Sequence, residues 1–257
     1  NELDYIKKLN VVANLIIDGV YKQNKEIFFK KINYLEGDTK ILIENIELGK
    51  NDRIKNLDLF QIDIDSISGI RNQLEFKKVN DNYYLTGTQF DGTENIKNLL
   101  SNKSKSIFSN FKNLNSYIYL DIGKYYINKN SYLSKTKGEI QIKNSKILNA
   151  NISAKLNENR KFQLNVITNN RKEKITNLQV EKPEPFIKNF NFIKGFKEGD
   201  LVYESVEFKG KSISNLKIKN FKVKEVPVLA KLLTLASLQG IADLLTGEGI
   251  RFSDFEM

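Results

Sequence analysis

Asp63 and Asp65 are the residues whose spacing comes nearest to a catalytic pair. On a regular strand, positions i and i+2 share a face, so the two carboxylates would stand a few ångströms apart. That arrangement suits acid/base hydrolysis of a glycosidic bond. Both fall where the surrounding alternation demands outward polar residues, however, and no third group pairs with them in the sequence, so they read as part of a solvated face. The 257 residues include no Cys and no His. A disulfide framework, a thiolate nucleophile, a His general base, a Ser-His-Asp triad and a Cys/His zinc site are therefore excluded. No glycine-rich phosphate loop or metal-ligand spacing occurs either. The expectation is a protein that is not an enzyme, with no catalytic residue, metal or cofactor.

Around Asp63 and Asp65 the strongest signal is period-two alternation. Ile41, Ile43 and Ile46 recur through one run; Leu57, Leu59, Ile62 and Ile64 recur through the next, with a shift at Phe60–Gln61 that predicts a bulge. The pattern returns at Leu74–Phe76, Ile118–Leu120–Ile122, Ile140–Ile142, Ile152–Ala154–Leu156, Phe162–Leu164–Val166, Leu216–Ile218 and Phe221–Val223. Lys, Asn, Asp and Glu fill the alternate positions, as half-buried antiparallel strands require. Gly37, Asn80, Asn157 and Asn169 sit between runs, where hairpins need positive φ. With no βαβ alternation, the strands read as a meander.

Helical patterning is sparse. Thr93–Leu100 places Ile96, Leu99 and Leu100 on one face behind a Thr N-cap, and Pro183–Phe190 suits a short helix with Pro185 in its first turn. The longest candidate, Val228–Leu245, follows Pro227 and stops at Thr246–Gly247. Leu229, Leu232, Leu233, Leu235, Leu238, Ile241 and Leu244 make it apolar nearly all round, which suits a cap packed over a sheet edge.

The formal charge is +10, but only five of the 41 basic residues are Arg. Lys scattered singly among Asn, Ile and Ser gives a solvated basic surface with weak attraction for anionic headgroups, not the Arg-and-aromatic grip of a nucleic-acid reader. No run of uncharged apolar residues is long enough to span a bilayer.

The stretch Phe221–Phe252 resembles the C-terminal region of the AsmA-like family of bacterial envelope proteins, its YhdP-type members above all. The family's P-x-L-A step matches Pro227, Leu229 and Ala230; its L-x-S-L-x-G middle matches Leu235, Ser237, Leu238 and Gly240; its closing segment matches Leu245, Gly247, Gly249, Ile250 and Phe252. Leu85–Asp91 is similar to the family's G-x-x-F-D segment, and Lys194–Tyr203 to one of its strands, with Glu198-Gly199 standing where the family has two glycines. The resemblance covers residues 84–257 most strongly and treats 1–257 as one section of a longer chain.

The resemblance implies an inner-membrane-anchored, mostly periplasmic protein, held by a segment outside this chain, whose apolar groove carries phospholipid towards the outer membrane. Other envelope proteins would be its partners, and nucleic acid would not. The fold class is then mainly β: an elongated antiparallel meander curled into an open apolar groove, with one Leu-rich capping helix and two short helices. About 14 strands at roughly 4.8 Å spacing would give a groove on the order of 70 Å long. Apolarity alone selects Ile62, Ile64, Ile140, Ile142, Ile152, Leu164, Val166, Leu216, Ile218, Phe221 and Val223 as lining residues. A closed barrel or a two-sheet sandwich would also hide such a face. The other functional class is a structural or adhesive β-protein with a self-filled core, binding anionic polymer through its lysines.

Overall fold

The computed structural model describes residues 8–22, 26–94, 107–187, 195–224 and 250–256. They are mainly β, with antiparallel pairing dominant, and they fall into two compact units, one ending at Ala154 and the other starting at Lys155.

In the first unit the strands are β1 (Ala13–Lys22), β2 (Glu26–Glu36), β3 (Thr39–Leu48), β4 (Ile54–Asn56), β5 (Leu59–Asp65), β6 (Arg71–Val79), β7 (Asn82–Asp91), β8 (Ser116–Asn128), β9 (Ser131–Lys143) and β10 (Lys146–Leu156). They line up in chain order, except that the short β4 pairs with β3 to one side of the main path. The second unit holds β11 (Arg160–Thr168), β12 (Lys174–Glu181), β13 (Phe196–Phe208), β14 (Lys211–Val223) and β15 (Ile250–Glu256), again in chain order. The sheet is open: β1 pairs only with β2, and β15 only with β14, among the described strands. A barrel is thereby excluded for these residues. Among the described residues every strand belongs to this one sheet, so the sandwich alternative fails for them too.

Of the expected turn residues, Gly37, Asn80 and Asn157 have positive φ (57°, 54° and 46°), whereas in the turn after Asn169 it is Lys172 (φ 62°) that takes the left-handed conformation. Asn144 and Ser145 (φ 52° and 60°) and Lys209 and Gly210 (φ 51° and 76°) each place two successive residues in the left-handed region. Such turns match the right-handed twist of the strands they join.

Three features depart from the sequence reading. The break before Ile62 lies at Leu57–Asp58, between β4 and β5, and not at Phe60–Gln61, because Phe60 pairs regularly with Phe76. Strands β1 and β2 carry apolar residues at consecutive positions, so the period-two signal that marked the others was absent from both. On β1, Leu15, Ile16 and Ile17 are all more than half exposed. Finally, β7 and β8 are parallel. A parallel pair needs a crossover long enough to return the chain to its starting end, and the segment between Asp91 and Ser116 supplies it.

That segment is fastened at both ends. Asp91 accepts from the backbone N–H of Thr93 and from the hydroxyls of Ser66 and Ser68, at 3.1, 2.9 and 2.6 Å. Burial works against its charge, but these donors prevail and hold the carboxyl below its ordinary pKa. At the far end Phe111 enters the apolar side of the sheet, edge-on to both Phe76 and Tyr83, which stack on each other at 4.5 Å. The Ser145 hydroxyl and the Arg53 guanidinium both donate to the Phe111 carbonyl.

In the second unit the described helical turn Glu184–Ile187 falls within the expected Pro183–Phe190 helix. Its Phe186 ring stacks on Phe162 at 5.9 Å. Of the Thr93–Leu100 helix only Thr93 and Glu94 are described. The Val228–Leu245 capping helix (Leu229, Leu232, Leu233, Leu235, Leu238, Ile241, Leu244) lies outside the described residues. So do Pro227, Gly240, Gly247 and Gly249 of the motif that carried the resemblance.

Candidate functional site

Cross-strand register decides which apolar side chains share a face. In the first unit one unbroken row of partners runs Ile17, Ile32, Ile43, Phe60, Phe76, Leu85 and Leu120, crossing β1, β2, β3, β5, β6, β7 and β8. A neighbouring row joins Tyr34, Ile41, Ile62, Leu74, Gly87 and Ile122. Ile64 follows Ile62 on its strand, and Ile140 and Ile142 pair with Ile118 and Ser116 on the same side. All four of these expected lining residues are buried, Ile64 most completely at 1% exposure. Ile152 is half-buried, next to a glycine that lets its strand approach: a Cβ on Gly138 would stand 2.4 Å from the Asn151 carbonyl oxygen.

Leu164, Leu178, Tyr203 and Leu216 form the corresponding row of the second unit, beside Phe162, Val180, Leu201 and Ile218. Val166 continues the first of these strands but faces Thr176, so the row it belongs to turns polar. Phe221 and Val223 are odd-numbered where Leu216 and Ile218 are even, yet all but the half-buried Leu216 are buried. Positive φ at Glu198, Gly199 and Asn220 resets the two-residue period between them. Beyond that kink Phe196, Phe221 and Phe252 stack in series at 5.3 and 5.2 Å. Ile250 is buried against Val223.

The register places Ile62, Ile64, Ile140 and Ile142 on one side in the first unit, and it adds Phe60, Phe76, Leu85 and Leu120, none of which is among the expected lining residues. All four are half-buried, so they retain apolar surface available for contact.

On the opposite face Asp63 and Asp65 are held by cations. The Arg71 guanidinium donates to Asp63 at 2.5 Å and reaches Asp65 and Asp38 at 3.3 Å, and Lys8 reaches Asp38 at 2.8 Å and Asp65 at 3.4 Å. Arg71 sits in register with Asp65 on the adjacent strand. This is ion pairing across strands. Among the described residues no cluster of carboxylates is placed to hold a metal ion, and no helix is long and apolar enough to cross a membrane.

The chain matches no family model, no curated protein and no solved structure.

Proposed function

We propose that this chain is a non-enzymatic section of an intermembrane lipid conduit in a Gram-negative envelope. It works in the periplasm as part of an assembly anchored to the inner membrane, as the resemblance to AsmA-like proteins implies. Phospholipid acyl chains would lie along the apolar face while headgroups stay near water. The observation that supports this reading is the seven-strand row from Ile17 to Leu120. It is apolar at every register position, and no second sheet covers it among the described elements. An apolar face of that extent, half-buried from Ile32 to Leu120, suits a surface that meets lipid or another partner, and acyl chains ask of their walls only that they be apolar.

The test places a photo-crosslinking amino acid at Leu120, at Leu216 and at the outward-facing Lys143, in the full-length protein in cells. The expected result is capture of radiolabelled phospholipid at Leu120 and Leu216 but not at Lys143. Crosslinks from Leu120 and Leu216 to protein alone would establish a self-filled β core, and the conduit would have to be abandoned.

A further inference from the structure

The wet face of the first unit carries aromatic rings where the alternation calls only for polar side chains. Register aligns Tyr84 of β7 with Tyr119 of β8, their ring centroids 5.1 Å apart, and Tyr117 lies beside Tyr119 with its ring within 16° of parallel. Tyr84 and Tyr117 are 40% and 37% exposed, so these rings are not core residues. Tyr84 and Tyr119 line a shallow depression that continues across β9 and β10 to Glu139, Asn151 and Ser153.

Two properties of this depression select its ligand. The side chains of Thr86, Glu139, Asn151 and Ser153 make no hydrogen bond within the described protein, so a ring of donors and acceptors stands open around the tyrosines. Lys137 is engaged by Asp121 at 3.2 Å, which leaves the Glu139 carboxylate as the uncompensated charge of the lining. A polyanion is disfavoured there, whatever the net charge of the chain, since single-stranded nucleic acid needs cations beside its stacking rings. A purely apolar partner would strand the open polar groups without partners. A pyranose ring satisfies both demands. Its C–H face lies on an aromatic ring, and its equatorial hydroxyls reach carboxylate, amide and hydroxyl groups at the rim.

We infer that the Tyr84–Tyr119 depression, with Tyr117 beside it, binds an uncharged glycan chain. The site faces away from the apolar rows and does not depend on the conduit reading. A conduit with such a site would be held against a polysaccharide layer while lipid moved along its other side.

The chain has 11 Tyr and no Trp, so its intrinsic fluorescence reports on tyrosines alone. The purified 257-residue chain is titrated with hexaoses of β-1,4-linked glucose, β-1,4-linked N-acetylglucosamine and α-1,4-linked glucose. A saturable fluorescence change with at least one of them is expected. Affinity should fall about tenfold in Tyr119→Ala and by a similar factor in Glu139→Gln, and stay unchanged in Lys143→Ala. Glu139→Gln preserves shape on an exposed strand position, so it keeps the test decisive if Tyr119→Ala perturbs the sheet. No saturable change with any hexaose up to its solubility, or equal affinity in both site variants, would overturn the inference. So would saturable binding of a decaproline peptide that Tyr119→Ala abolishes, which would make this an aromatic groove for proline-rich segments. Glu139→Gln should leave phospholipid capture at Leu216 intact, so the two proposals fail separately.

Discussion

Each unit covers one patch of its apolar face with a phenylalanine delivered by a connection, and the two deliveries differ. In the first, Phe111 comes from the crossover between β7 and β8, and the strands it joins are parallel. In the second, Phe186 comes from a helical turn after β12, and the next strand, β13, pairs antiparallel with it. The ring does the same work in both places, filling space over an aromatic on the sheet. What differs is where the chain re-enters: a crossover returns it to the end from which it came, whereas the shorter excursion lets it start back from where it left. Covering an apolar face and setting strand direction are therefore separable tasks, and a connection can do the first without changing the second.

The fastenings differ as well. Phe111 is held through its own carbonyl by Ser145 and Arg53. Phe186 is held indirectly, because Glu184 accepts from the backbone N–H of Glu198 and Lys182 donates to the Gly199 carbonyl. The helical turn is thus tied to the kink in β13, where Glu198 and Gly199 have φ of 63° and 80°. Glu198 takes the left-handed conformation with a side chain and sets its carboxylate 3.2 Å from the buried Lys222.

The largest expected effect comes from removing the two plugs. Phe111→Ala should destabilise by about 3–5 kcal/mol, and Phe186→Ala by an amount at the lower end of the same range. Hydrogen exchange checks where each loss falls: in β6 and β7 for the first, in β11 and β13 for the second. A uniform loss across both units from either variant would mean that the plugs are not local devices. Next comes Gly199→Ala, which adds a Cβ at positive φ and 2.8 Å from the Phe221 Cβ. It should cost about 1–3 kcal/mol and raise exchange at Phe186 before it affects Phe111, as read in a denaturant series. If the Phe186 turn keeps its protection, the kink does not hold it.

The smallest effect sharpens the first patch alone. Burial beneath Phe111, with the Asp58 charge nearby, pushes the Tyr83 hydroxyl up to about 12. A group that holds its proton more tightly when folded contributes stability that is fully present below its unfolded value near 10, and that is lost as pH rises through about 12. Ultraviolet titration should therefore show one late tyrosine that vanishes in Tyr83→Phe, and base unfolding of that variant should be less steep between these pH values. A normal ionisation of Tyr83 would mean that Phe111 does not seal the patch.

Much of the fold was legible because alternation is a local property. Ile62 and Ile64, Ile140 and Ile142, or Leu216 and Ile218 declare a buried face without knowing their partners, since neighbouring side chains on a strand must point opposite ways. Composition likewise excluded thiol and imidazole chemistry outright. The same rule hid β1 and β2, where Leu15, Ile16 and Ile17 are apolar in succession, and it misplaced the break near Phe60.

Everything that depends on which strands meet was decided by tertiary structure. Tyr84 and Tyr119 become neighbours only because β8 runs parallel to β7, and Asp63 meets Arg71 only through the β5–β6 register. Phe111 and Phe186 lie in connections whose own sequence carries no strand pattern, so nothing local announces that they close over Tyr83 and Phe162. Period fixes the direction in which a side chain points; pairing and chain reversal fix what it points at, and those are set by contacts between residues far apart in the chain.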